Sequence, residues 1–107
     1  MLVSVNQTIQ DDDDLLHRLQ HGEREAVMAA YERYFPQLYP FVLLKVSDAS
    51  TAEDIVSDVF VRLLEALGTD NTPKTHLRGW LFRVARNEIA AQARIRRPRV
   101  RTAAPSS

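Results

Sequence analysis

The chain contains no cysteine in its 107 residues, which excludes a disulfide framework, thiolate metal ligation and thiol catalysis. No apolar run is long enough to span a bilayer, and no basic segment leads into an apolar one at the amino terminus. Membrane insertion is not expected, and a cytoplasmic location follows by default. No stretch alternates apolar and polar residues for long enough to make a strand, and no internal repeat is visible. The expected fold is all-α. The length supports one domain, and a domain this small buries only about 60–65% of its unfolded surface.

What the chain does have is charge, unevenly placed. The formal net charge is zero, yet residues 1–72 hold five Lys+Arg against thirteen Asp+Glu, a net of −8. Residues 73–107 hold nine Lys+Arg against one Asp+Glu, a net of +8. Such asymmetry suggests two partners of opposite sign, one of them nucleic acid. The plainer alternative is an acidic half folded back onto a basic one. Both stay open at this point.

The spacing predicts a compact bundle of about four helices within residues 11–97, preceded by a flexible segment 1–10 and followed by a basic linker or tail 98–107. Asp11 to Asp14 suit the positive end of a helix dipole, and Gly22 suits a left-handed stop. A second helix starts near Glu23, with Ala26, Val27, Ala30, Tyr31 and Tyr34 towards the core. A kink or break is expected near Phe35–Pro36, because Pro36 and Pro40 each lack an N–H donor. Ser50 and Glu53 read as a capping box that starts a third helix at about Thr51. Its buried stripe is Ile55, Val56, Val59, Phe60, Leu63 and Leu67, and it stops at Gly68. A turn-rich loop follows, and a fourth helix runs from near Thr75 to Arg97, before Pro98.

That fourth helix holds the chain's one tryptophan among a dense set of arginines. At 100° per residue, Leu77, Trp80, Leu81, Val84, Ala85, Ala91 and Ile95 share one broad sector. Arg83, Arg86, Asn87, Arg94 and Arg97 collect in a separate wedge. No acidic i±4 partner neutralises the wedge. It also lies beside the aromatics Trp80 and Phe82, and stacking combined with cations is how single strands are held. A solvated helix face is the simpler reading of the same charges. Glu88 falls inside the apolar sector, where a rim position or a partner arginine would explain it.

The segment "AEDIVSDVFVRLL" followed by "HLRGWLFRVARNEI…RIRR", with "G-E-x-E-A" and "YERYFPQLY" ahead of it, resembles region 2 of bacterial sigma factors. The likeness is greatest to the extracytoplasmic-function group of the sigma-70 superfamily, and it covers about Asp13 to Arg97. It implies a transcription initiation factor domain that docks on the β′ clamp helices of RNA polymerase and traps the opened promoter −10 element. The docking residues it implies are Asp54, Ser57, Asp58, Val61 and Arg62 on the outward face of the third helix. Relatives commonly have Gln where this chain has Ser57. For the −10 element it implies Asn71, Thr72 and Lys74 in the loop, where a flipped base would be pocketed. It also implies Arg83, Arg86, Asn87, Arg94 and Arg97 along the opened strand. Trp80 joins that set, although its place in the apolar sector favours core packing over base stacking.

Many relatives carry Asp four residues after the position of Asn87, where this chain has Ala91. The group normally continues into a second helical domain for the −35 element, which is absent from this chain. An anti-sigma protein is a further partner that the group implies, though no residue here signals one.

Two other readings compete. A generic basic-helix regulator of the helix-turn-helix kind would need a shorter turn than Gly68 to Thr75. A protein-binding helical adaptor would set the basic helix against an acidic partner. An enzyme is not expected, nor any cofactor. His17 and His21 sit at i, i+4, but no Glu lies between them in a zincin pattern and no third ligand is evident, so they read as solvated histidines.

Overall fold

The computed structural model describes the backbone of residues 5–106 and the side chains of residues 12–94. Four helices account for the regular structure among them: α1 (Val5–Gln20), α2 (Arg24–Val46), α3 (Ala49–Ala66) and α4 (Leu77–Ser106). None is long and apolar enough to cross a membrane. α2 and α3 form the main antiparallel contact, α4 packs across both, and α1 closes one side of α2.

Local chemistry explains most of the boundaries. α1 ends in a Schellman arrangement, with Gly22 at φ +79°. Gly22 N donates to Leu19 O at 2.9 Å, and Glu23 N donates to Arg18 O at 3.1 Å. α2 stops at Ser47, a non-glycine residue in the left-handed region whose N–H reaches Leu43 O at 2.8 Å. The next residue already caps α3: the Asp48 carboxylate accepts from Thr51 N at 2.8 Å. The expected Ser50–Glu53 capping box is therefore displaced by two residues. Asp48 caps the N–H of Thr51 from a position that lets the hairpin close in two residues.

Three other expectations are corrected. α1 begins at Val5 instead of Asp11, because nothing between Val5 and Gln10 breaks a helix; the acidic run lies inside it. α2 continues unbroken through Pro36 and Pro40. Both prolines are exposed, so the carbonyls they leave without a donor face solvent, and their fixed φ is already helical. α4 likewise continues through Pro98 to Ser106 and does not stop at Arg97.

The core draws on every helix. Leu19, Leu38, Val42, Val56, Val59, Leu63, Leu77 and Leu81 are its largest fully buried side chains. Each contributes about 1.5–3 kcal/mol on burial. The predicted stripe of α3 is buried, with Leu67 only partly covered. Tyr31, Phe35 and Tyr39 make an aromatic row along α2, their centroids 5.1 and 5.6 Å apart, and Phe60 of α3 meets Tyr31 at 5.1 Å.

Candidate nucleic-acid interface

α4 enters the bundle through Leu77, Leu81 and Ala85, all buried, and that registration turns Arg83, Arg86, Asn87 and Arg94 outward. These three arginines make no ion pair among the described residues, and Arg97 lies outside the described side chains. Phe82 does not join the exposed aromatic surface expected of it. It packs edge-on against Phe41 of α2 at 5.2 Å, with Arg78 4.5 Å above its ring. Arg78 is further committed to Gln37 of α2 at 3.0 Å. Trp80 is half-buried, with part of its ring on the core and part on the surface.

The loop between α3 and α4 is folded by its own polar groups. Gly68 takes φ +73° just past α3. The Thr69 hydroxyl donates to Ala66 O at 2.7 Å and accepts from Asn71 N at 3.1 Å. The Thr72 side chain is buried, with its hydroxyl 2.5 Å from Ala66 O and 2.9 Å from Thr69 O. Its one proton thus serves two carbonyls, so Thr72 shapes the loop and offers no free hydroxyl to a ligand. Gln20, at the end of α1, donates to Pro73 O at 3.1 Å and Lys74 O at 3.2 Å, which ties the far side of the loop to the bundle. Lys74 Nζ folds back onto Asp70 O at 2.7 Å but remains exposed.

Two concavities result. The larger, about 570 Å³, lies between the loop and the start of α4, walled by Asn71, Lys74, Trp80, Arg83 and Arg86 among others. The second, about 340 Å³, lies between the ends of α3 and the loop and the middle of α4, walled by Arg62, Glu65, Asn71, Trp80, Arg83 and Asn87. Asn71, Trp80 and Arg83 belong to both. Of the expected strand-binding residues, the structure gathers Asn71, Thr72, Lys74, Trp80, Arg83, Arg86 and Asn87 here. Arg94 stands farther along α4, outside either concavity.

Along the outward face of α3, Asp54, Ser57, Val61 and Arg62 are exposed and Asp58 is half-exposed. Val61 is one of three large apolar side chains left open to solvent among the described residues. Arg62 is not free: its Nε donates to Glu88 of α4, and its guanidinium lies 4.0 Å from Asp58. The hydrogen bond to Glu88, then the nearby charge of that carboxylate, holds the guanidinium above its ordinary pKa. Glu88 is thus explained by a partner arginine on another helix. Periodicity along α4 alone did not show this, because the register between α3 and α4 decides it.

The other described ion pairs, Arg18–Glu23 and Asp12–Arg33, stay within the acidic half. Among the described residues, no acid of the first half pairs with Arg83, Arg86 or Arg94. The rings of His17 and His21 meet at a 49° tilt with centroids 4.4 Å apart, and His21 Nδ1 is 2.9 Å from His17 O.

The model of a family described as sigma-70 region 2 matches residues 30–99. The ECF RNA polymerase sigma factor BldN of Streptomyces coelicolor is 34% identical over 77 residues, which are 72% of this chain and 29% of that protein. The RNA polymerase sigma-H factor of Pseudomonas aeruginosa is 29% identical over 91 residues, 81% of this chain and 47% of its own. The chain thus spans less than half the length of either relative. No solved structure matches.

Proposed function

Because the chain belongs to the sigma-70 region 2 family, we propose that it holds unpaired promoter −10 nucleotides on the loop–α4 face while α3 docks on the β′ clamp helices of RNA polymerase. The observation that carries this reading is the convergence of Asn71, Trp80 and Arg83 on two adjoining concavities, where Arg83 and Arg86 make no ion pair among the described residues. Neutral amides and an indole suit a base, and free guanidinium groups suit the phosphates on either side. Arg83, Arg86, Arg94 and Arg97 would follow the backbone, with Asn71, Asn87 and Trp80 at the bases and Lys74 at the loop rim. Asp54, Ser57, Asp58 and Val61 would meet the polymerase, and Arg62 would frame both faces.

The energetics favour trapping over melting. A base-pair step contributes roughly 1.4 kcal/mol of stacking, and flipping one base takes a few kcal/mol. About five phosphate contacts on a small domain do not open several pairs of duplex. Docking comes first, and the domain then captures bases as the assembled complex exposes them.

Single-stranded oligonucleotides test the reading. Binding is expected to be weak at physiological salt, with a log–log salt slope of about −3 to −4 for five contacts. Changing Arg83, Arg86 and Arg94 together to Ala should flatten that slope; unchanged affinity would refute it. Capture by a β′ clamp-helix fragment should be lost in Asp54→Arg. Asp54 makes no ion pair among the described residues, so its reversal reads docking alone. Retention by that variant would favour the adaptor reading, in which the basic helix carries the protein contact.

A further inference from the structure

Glu65 is a carboxylate in the wall of the second concavity, where a strand-binding surface has no evident use for it. It is exposed on α3, and it lines the second concavity beside Asn71, Trp80, Arg83 and Asn87. Among the described residues it makes no hydrogen bond and no ion pair. The cation one turn before it, Arg62, is already held by Glu88 and Asp58. An unpaired carboxylate lowers phosphate affinity at close range; beyond the field it exerts on Arg62, its oxygens are open to a donor that enters the concavity.

An unpaired strand offers such donors on its bases. Cytosine, adenine and guanine carry exocyclic amino groups, and a carboxylate accepts from cytosine N4 in particular. Thymine carries carbonyl oxygens in the corresponding positions, and these repel a carboxylate. The neutral amides of Asn71 and Asn87 can complete the base edge from the loop and from α4, and Trp80 supplies an apolar wall. The larger concavity lacks Glu65; its one carboxylate, Asp70, stands beside Lys74 and Arg86, two cations that the second concavity does not have.

We propose that Glu65 is a specificity-determining residue whose carboxylate accepts a hydrogen bond from the exocyclic amino group of one unpaired promoter base seated in the second concavity. The proposal rests on the reading of that face as the single-strand site, and deepens it by naming the class of base: one that carries an exocyclic amino group, in preference to thymine.

The test uses the intact chain and fluorescent single-stranded oligonucleotides at low salt. An otherwise all-thymine strand carries one cytosine, one adenine, or one 2-pyrimidinone, which is cytosine without its amino group. The intact chain should bind the cytosine strand about ten-fold more tightly than the 2-pyrimidinone strand, the discrimination expected of one good polar base contact. Glu65→Ala should bring that ratio close to one, and Glu65→Gln should keep part of it, because an amide oxygen still accepts. Circular dichroism should be unchanged in both, since the side chain is exposed. Three results would overturn the proposal: no discrimination by the intact chain, a ratio unchanged in Glu65→Ala, or a uniform gain for every strand, the mark of relieved phosphate repulsion. Trp80→Ala and Arg83→Ala separate this from the broader reading. They should weaken all strands alike, and if neither does, it is the single-strand site itself that fails.

Discussion

Arg62 on α3 donates its Nε hydrogen to Glu88 on α4, and among the described residues this is the ion pair that joins the acidic half of the chain to the basic half. Each partner carries the minority charge of its own half. Among the described residues, Arg83, Arg86 and Arg94 of the α4 wedge are left without an ion pair, and the two helices proposed to meet different partners are locked in one register. Arg62 is half-exposed while Glu88 is largely covered, so solvent screening limits the strength of the pair.

Glu88→Ala should destabilise the fold by about 0.5–1 kcal/mol, read from urea midpoints. Residue 91 lies one turn farther on the same face of α4, and it is where the sigma-like pattern commonly places Asp. The double change Glu88→Ala, Ala91→Asp should recover most of the loss. If it recovers nothing, the tie depends on position 88 itself and not on an acid anywhere along that face.

Tyr34 and Asp12 supply a second, pH-dependent tie. The Tyr34 ring is buried in α2, and its hydroxyl donates to both oxygens of Asp12 in α1. Burial first, then the bond to Asp12, raises the phenol above its ordinary pKa of 10.0. The folded state thus favours the protonated phenol more than the unfolded state does. The stabilisation is complete below the unfolded value and is lost as pH rises from there through the raised folded value. Urea midpoints measured from pH 8 to 11 should fall above pH 10 in the intact chain, and less steeply in Tyr34→Phe. At neutral pH the same substitution should cost about 1 kcal/mol. Equal alkaline slopes in the two proteins would refute the assignment.

The cap of α3 distinguishes two readings of one short segment. The Asp48 carboxylate holds both the N–H and the hydroxyl of Thr51, at 2.8 and 2.6 Å. Asp48→Ala should lower stability by about 1 kcal/mol. Ser50→Ala, at the residue that local pattern alone nominates, should fall within about 0.5 kcal/mol of the parent. The reverse ranking would restore the capping box.

These cases show where the sequence was legible. Helical spacing located the buried stripes of α2 and α3 and the two-faced α4, because one residue type per face suffices to set them. Gly22 and Gly68 marked the stops for the same local reason. The prolines of α2 and α4 misled, since their effect depends on whether the deprived carbonyl faces water, which is a tertiary fact. Asn71, Trp80 and Arg83 were each recognisable, but their convergence depends on how the loop is pinned by Gln20 from α1, more than fifty residues away. Phe82 was misjudged because its partner is Phe41 on α2, a contact between helices that the periodicity of α4 alone does not show. Glu65 lies on the helix face where acidic residues were expected, so nothing local separated it from its neighbours.

Thr72 allows the loop's shape to be separated from its contacts. Its hydroxyl is the buried group that serves Ala66 O and Thr69 O, and Thr69 can still serve the first of these. Thr72→Val keeps the side-chain volume and removes the donor, so a loss of about 1–2 kcal/mol in stability is expected, with Thr72→Ser close to the parent. No cation is touched by either change. Single-strand affinity should therefore fall in Thr72→Val as Asn71 loses its placement, while the salt slope stays the same, because the number of phosphate contacts does not change. A slope that falls with affinity would mean that Thr72 acts through a phosphate contact, and an unchanged affinity would mean that the loop takes no part in holding the strand.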